Sequence, residues 1–183
     1  TRYSVQFGNG SGNGSEVAQS KSVRGQLSPR SASGFVLEGY ADWQDRPEAG
    51  DFWTLEAFLG WQKPSWRASL EYARQTRRGA APDGGDLVLD LISAFAMVKA
   101  SPRLSLVGRA DWNLDPVPNG ETIDYMPFSD QAKSTFGLLG LDVTLAEAVH
   151  LIPNLEVTIY DTAADGNRPG TDLVPRLTLF FSW

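Results

Sequence analysis

The chain has 183 residues, 21% of them charged, a net charge of -6, a pI near 4.7 and no cysteine. That length suits one domain spanning residues 1–183, the missing thiols rule out a disulfide framework or a thiolate metal site, and the acidic balance offers no basic patch for nucleic acid. No run of about 18 apolar residues exists to cross a membrane as a helix, but a β-barrel is not excluded by the same numbers, because only every second strand residue meets lipid.

Strict apolar/polar alternation, the mark of a strand with two unlike faces, recurs along the chain. The first two strands are expected at Arg2–Gly8 and Ser22–Ser28, with Arg24 on the polar side. Between them lies GNGSGNG from Gly8, which is followed by neither a helix nor a Lys-Ser pair, so it reads as an outer loop rather than a phosphate cradle. The third, Phe35–Gln44, sets Phe35, Leu37, Gly39, Ala41 and Trp43 outward against Glu38, Tyr40, Asp42 and Gln44.

The fourth, Phe52–Gln62, is the clearest: Trp53, Leu55, Ala57, Leu59 and Trp61 share one face, with Thr54, Glu56, Phe58 and Gly60 on the other. Eight residues at roughly 3.3 Å each, tilted by about 40°, cover on the order of 20 Å of membrane normal, the height of an outer-membrane apolar band bounded by two aromatic girdles. Trp66–Thr76 repeats the pattern, with Trp66, Ala68, Leu70 and Tyr72 outward and Arg67, Ser69 and Glu71 inward.

Leu87–Val98 is apolar on both sides, and Asp90 is taken to mark its inward face. Leu104–Asn113 carries Arg109 and Asp111 inward against Leu104, Leu106 and Trp112. Ser134–Leu145 turns Asp142 inward, His150–Asp161 turns Glu156 inward, and Leu173–Trp183 sets Arg176 inward with Leu173, Leu177, Leu179, Phe181 and Trp183 outward. Pro153 and Pro175 fall inside strands and remove ladder donors, so bulges or frayed ends are expected there.

By these boundaries the nine connections run 13, 6, 7, 3, 10, 5, 20, 4 and 11 residues, long and short in alternation. Short periplasmic turns and longer external loops give a barrel this rhythm. All six tryptophans, Trp43, Trp53, Trp61, Trp66, Trp112 and Trp183, fall on the outward side near strand ends, where a membrane barrel needs interfacial aromatics. A soluble β-sandwich or lipocalin-like barrel also explains alternation, but neither the tryptophan placement nor the loop rhythm.

Chemistry is thin. The sole histidine, His150, reads as a solvated turn residue, and there is no GxSxG, HExxH or P-loop, so no catalytic residue, metal site or cofactor is expected. Asp161–Asp172 has loosely calcium-like oxygen spacing without the EF-hand pattern. The 20-residue connection Leu114–Lys133 reads as a loop folded into the lumen, an outer lid or a subunit contact. The inward charges are the expected pore lining: Arg24, Arg67, Arg109 and Arg176 against Glu38, Asp42, Glu56, Glu71, Asp90, Asp111, Asp142 and Glu156. Eight acids against four bases favour a lumen that prefers cations.

The stretches RYSVQFGNGSG, VLEGYADWQDRP, WRASLEYARQ, NLEVTIYDT and DLVPRLTLFFSW together resemble the later strands of general or phosphate-selective-type porins of Gram-negative bacteria. The C-terminal aromatic after alternating apolar residues resembles the signal read by the barrel-assembly machinery. The resemblance implies an antiparallel up-and-down barrel of about 16 to 18 strands, of which this chain would be the C-terminal part. It also implies residence among outer-membrane lipids, with a homotrimer among the expected assemblies. Phosphate selectivity is not carried over, because the inward face is acidic. Any export signal is expected to have been removed already. The leading expectation is a passive diffusion porin for small hydrophilic solutes or ions, not an enzyme; its rival is a closed ten-stranded structural or anchoring barrel without transport.

Overall fold

The computed structural model describes residues 1–9, 21–46, 50–118 and 129–181. Ten strands follow one another: β1 (Arg2–Asn9), β2 (Lys21–Ser28), β3 (Phe35–Gln44), β4 (Phe52–Lys63), β5 (Trp66–Arg77), β6 (Leu87–Ser101), β7 (Leu104–Asn113), β8 (Ser134–Ala146), β9 (Val149–Tyr160) and β10 (Asp172–Phe181). Among the described residues there is no helix. The strands form one antiparallel sheet in sequence order, and since no pairing joins β1 to β10 among the described residues, the sheet is an up-and-down meander that is not closed.

Local chemistry explains the connections. The two-residue turns Pro64-Ser65, Pro102-Arg103 and Glu147-Ala148 alternate with longer segments. Between β2 and β3, Pro29 ends the strand and Gly34 takes φ +88°, which lets its N–H reach Ser31 O at 3.1 Å while Ser31 N–H donates to Phe35 O at 2.9 Å. Strand limits lie within a residue or so of the sequence expectation except β6, which runs on to Ser101. There the register against β7 shifts between Lys99 and Ser101, and the extra residue carries the strand into its turn. A second shift, between Thr144 and Ala146, stands beside the β8–β9 turn.

The prolines behave otherwise than expected. The β9–β10 register runs without a shift through Pro153↔Leu177 and Pro175↔Leu155. Pro153 instead marks the place where β8–β9 pairing lapses between Gly140↔Asn154 and Val143↔Leu151, with the register unchanged on either side. The side chain of Asn154 there donates through Nδ2 to Ile152 O at 3.1 Å. Pro175 lies on β10, which among the described residues pairs only with β9, and an edge strand can spare a donor.

The chain divides into two compact units, Thr1–Leu59 with Glu71–Asp90, and Gly60–Leu70 with Leu91–Trp183. In the first, the pairs Tyr3↔Leu27, Val5↔Gly25, Phe7↔Val23 and Val23↔Trp43 align one apolar face, and Gln6↔Arg24, Arg24↔Asp42 and Gln26↔Tyr40 align a polar one. In the second, Ile92↔Trp112 and Val98↔Leu106 stand on the apolar face and Ser93↔Asp111, Ser105↔Asp142, Leu138↔Glu156 and Val174↔Glu156 on the polar face.

Exposure follows the apolar side chains. The apolar face is the exposed one, with Tyr3 83%, Leu139 69% and Leu177 70% exposed, while the buried hydrophobic residues among those described are only Ala132, Phe136, Tyr160 and Ala163. Along β4 the alternation is direct: Trp53, Leu55, Ala57 and Leu59 are exposed, and Thr54, Glu56 and Phe58 are partly covered. Since soluble monomers rarely expose contiguous apolar patches beyond a few hundred Å², this face requires a cover.

Candidate functional site

The polar face carries eleven of the twelve strand charges singled out from the sequence. In the first unit it carries Arg24, Glu38, Asp42, Glu56 and Glu71. Tyr40 OH donates to Asp42 Oδ2 at 3.0 Å, and Arg24 faces Asp42 across β2–β3. Glu38, Glu56 and Glu71 have no hydrogen-bond or ion-pair partner among the described residues, although Glu56 lies within electrostatic range of Glu71, Asp42 and Glu38.

In the second unit the same face is paired. Arg109 Nε lies 2.9 Å from Asp111, which Ser93 also reaches through its hydroxyl. Arg176 Nε meets Glu156 Oε2 at 2.8 Å. Arg67 stands 5.6 Å above the Phe95 ring. His150 Nδ1 and Asp142 Oδ1 are 2.6 Å apart, with the Phe180 ring edge-on at 6.2 Å. His150 is therefore a partnered residue of the polar face, only 28% exposed in its side chain, and not the solvated turn residue expected.

At the loop end of that unit, Ala132, Tyr160 and Ala163 bury one another. Tyr160 OH donates to Asp172 Oδ2 at 2.7 Å and Arg168 Nε to Tyr160 O at 2.7 Å. Val117 N–H donates to Ser129 O at 3.1 Å, closing the base of the 114–133 connection. The middle of that connection, with Tyr125, Met126 and Phe128, lies outside the described residues, as does GNGSGNG beyond Asn9. In the 161–172 segment Asp165 accepts Asn167 N–H at 2.9 Å and Nδ2 at 2.7 Å, bonds that hold its carboxyl below the usual range. Among the described residues no group of three or more His, Asp or Glu side chains is placed to hold a metal ion.

Asp90 requires a correction. It lies on the apolar face, in line with Val88 and Ile92, where Arg74 grips it through Nε and Nη2, each at 2.8 Å, and Tyr72 OH donates to it at 2.7 Å. The other eleven charged residues singled out from the sequence share the polar face. The physical reason for the exception is a partner: a bidentate arginine on the neighbouring strand neutralises the carboxylate locally. Sequence reasoning missed Arg74 itself, yet the signal was there, since Arg74 continues the outward row Leu70, Tyr72. Tyr40 was placed on the inward face but not as a partner of Asp42, two residues along the same strand; Ser93 and Phe95 were missed, and each is recognisable only through its neighbour on another strand.

The apolar face ends in aromatics. Trp43 and Trp53 stand at the loop ends of β3 and β4 with ring centres 6.1 Å apart, and Trp61 and Trp66 flank the Pro64-Ser65 turn at 5.6 Å. Trp112 is next to last on β7. Trp183 lies outside the described residues.

Comparison with known protein families, curated proteins and solved structures finds no match to this chain.

Proposed function

We propose that this chain builds a transmembrane antiparallel β-barrel of a Gram-negative outer membrane and acts there as a passive diffusion porin, or as the C-terminal part of one, of the general or phosphate-selective type. The β1 and β10 edges are left without a second neighbour among the described residues, and a barrel needs every edge paired. The observation that carries the reading is the inverted burial: the exposed face is apolar, with the Trp43-Trp53 and Trp61-Trp66 pairs at its strand ends, while eleven of the twelve strand charges singled out from the sequence stand on the other face. Lipid is the cover such a face fits, with aromatic girdles at the two interfaces.

The polar face then lines water, and no bond is made or broken. Glu38, Glu56 and Glu71, without partners among the described residues, favour a wet lumen, because an unpaired carboxylate in a dry plug costs several kcal/mol on the order of a buried ion's desolvation. They also supply a field that prefers cations. The paired face of the second unit favours a different reading, a structural or anchoring barrel whose charges are internally matched. Planar-bilayer recording on the reconstituted protein separates the two. Stepwise conductance with cation preference is expected, weakened by Glu56→Gln with Glu71→Gln and left unchanged by removing a matched pair through Glu156→Gln with Arg176→Gln. Folded, inserted protein without conductance would select the structural barrel.

A further inference from the structure

We propose that the apolar face of the first unit holds one anionic lipid, its phosphate-bearing headgroup on Arg74 and an acyl chain in the groove beside Tyr72; the inference rests on the reading of this face as lipid-facing. Tyr72, Arg74 and Asp90 interrupt an apolar surface, and they do so asymmetrically. Asp90 spends its oxygens within the cluster, Oδ1 on Arg74 Nε at 2.8 Å and Tyr72 OH at 2.7 Å, Oδ2 on Arg74 Nη2 at 2.8 Å. Its side chain is 16% exposed, whereas that of Arg74 is 48% exposed. A guanidinium carries five N–H donors, more than its bonds to Asp90 through Nε and Nη2 and its contact with Tyr72 use. Toward the outside the more exposed member of the cluster is thus the guanidinium, which offers donors in a planar fork, the arrangement that matches a phosphate.

Depth agrees with a headgroup. Arg74 stands three residues before the end of β5 and Asp90 three residues after the start of β6, about 10 Å of strand from the connecting loop. Hydrocarbon gives way to headgroups at that level, and Tyr72 has the amphipathic form favoured there.

Tyr72 also walls a hollow of about 640 Å³ floored by Gly25, Gly39 and Ala57 and flanked by Leu27 and Leu55. A Cβ added at Gly25 or Gly39 would meet nothing within 4 Å, so the hollow exists because side chains are missing. From β5 to β1 it crosses four inter-strand spacings of about 4.8 Å, on the order of 19 Å. An acyl chain covers about half of a 30 Å hydrocarbon core, so one chain fits.

The test uses the 183-residue chain folded in neutral maltoside micelles and offered dimyristoyl phosphatidylglycerol, with native mass spectrometry counting retained lipid. One lipid per chain is expected. Arg74→Gln with Asp90→Asn, which removes both charges together and leaves no orphan, should weaken retention at least tenfold. So should Gly39→Leu, whose Cβ would meet nothing within 4 Å and whose side chain enters the groove. Inorganic phosphate at the same concentration should not displace the lipid. Retention unchanged in both variants, displacement by free phosphate, or a Gly39-dependent dimer in place of lipid would overturn the proposal. Quenching of tryptophan by brominated lipid in vesicles reads insertion separately: quenching without retention removes only this site, and absence of quenching removes both the site and the membrane reading.

Discussion

Asp142 and His150 meet on the polar face across the β8–β9 hairpin, Oδ1 to Nδ1 at 2.6 Å, although Thr144 and not Asp142 is the direct cross-strand partner of His150. The contact is diagonal, and it joins two side chains that are each mostly covered. We expect His150→Ala and Asp142→Ala each to lower stability by about 1 to 2 kcal/mol and the double variant to cost less than their sum, with a coupling of roughly 1 kcal/mol. Urea unfolding of the four proteins measures the cycle; strict additivity would mean the pair contributes nothing.

Leu55, Leu70 and Leu106 are about half exposed on the apolar face. Arginine at each should cost about 2 to 4 kcal/mol if lipid covers that face at mid-depth. Arginine at Ser69 should cost far less, and at Ser105 it gains Asp142 as a cross-strand neighbour. Folding equilibria in lipid vesicles give the comparison, and equal penalties on both faces would contradict a lipid-covered sheet.

On the proposed barrel, the alternation of turns and loops predicts sidedness. The chain has no cysteine, so single cysteines at Asp83 and Asp165 should react with an impermeant maleimide on whole cells, while those at Pro64 and Pro102 should react only after lysis. The opposite result would invert the topology.

Gly50 takes φ +76°, and a Cβ there would stand 2.0 Å from the carbonyl oxygen of Arg78. Gly50→Ala thus combines backbone strain with a collision against main chain, and a loss of about 2 kcal/mol is expected in chemical denaturation. The strands should remain, since the contact joins only the connections flanking β4 and β5.

How much of this could be read from sequence depended on whether each strand carried its own evidence. In β4 the residues Trp53, Leu55, Ala57, Leu59 and Trp61 set the face within a single segment, and the observed exposure follows that alternation residue by residue. In β6 both sides are largely apolar, so Asp90 was the one charged marker in Leu87–Val98, and a marker can be neutralised by a group on another strand. Arg74 does this from β5, a relationship that no window along β6 contains. His150 was misread for the same reason: its partner lies eight residues away, on the far side of a turn, and diagonal to it. The prolines were legible in kind but not in effect, because whether a missing donor matters depends on which side of the strand has a neighbour.

The bond from Val117 N–H to Ser129 O ties the two arms of the longest connection at its base. Because closing a loop grows costlier only slowly with its length, each doubling adding about 0.6 kcal/mol, cargo spliced between these residues would be borne by the knot rather than by the sheet. A foreign epitope grafted there should be displayed with the unfolding midpoint of the parent protein nearly retained, whereas the same graft in the two-residue Glu147-Ala148 turn should disrupt pairing directly.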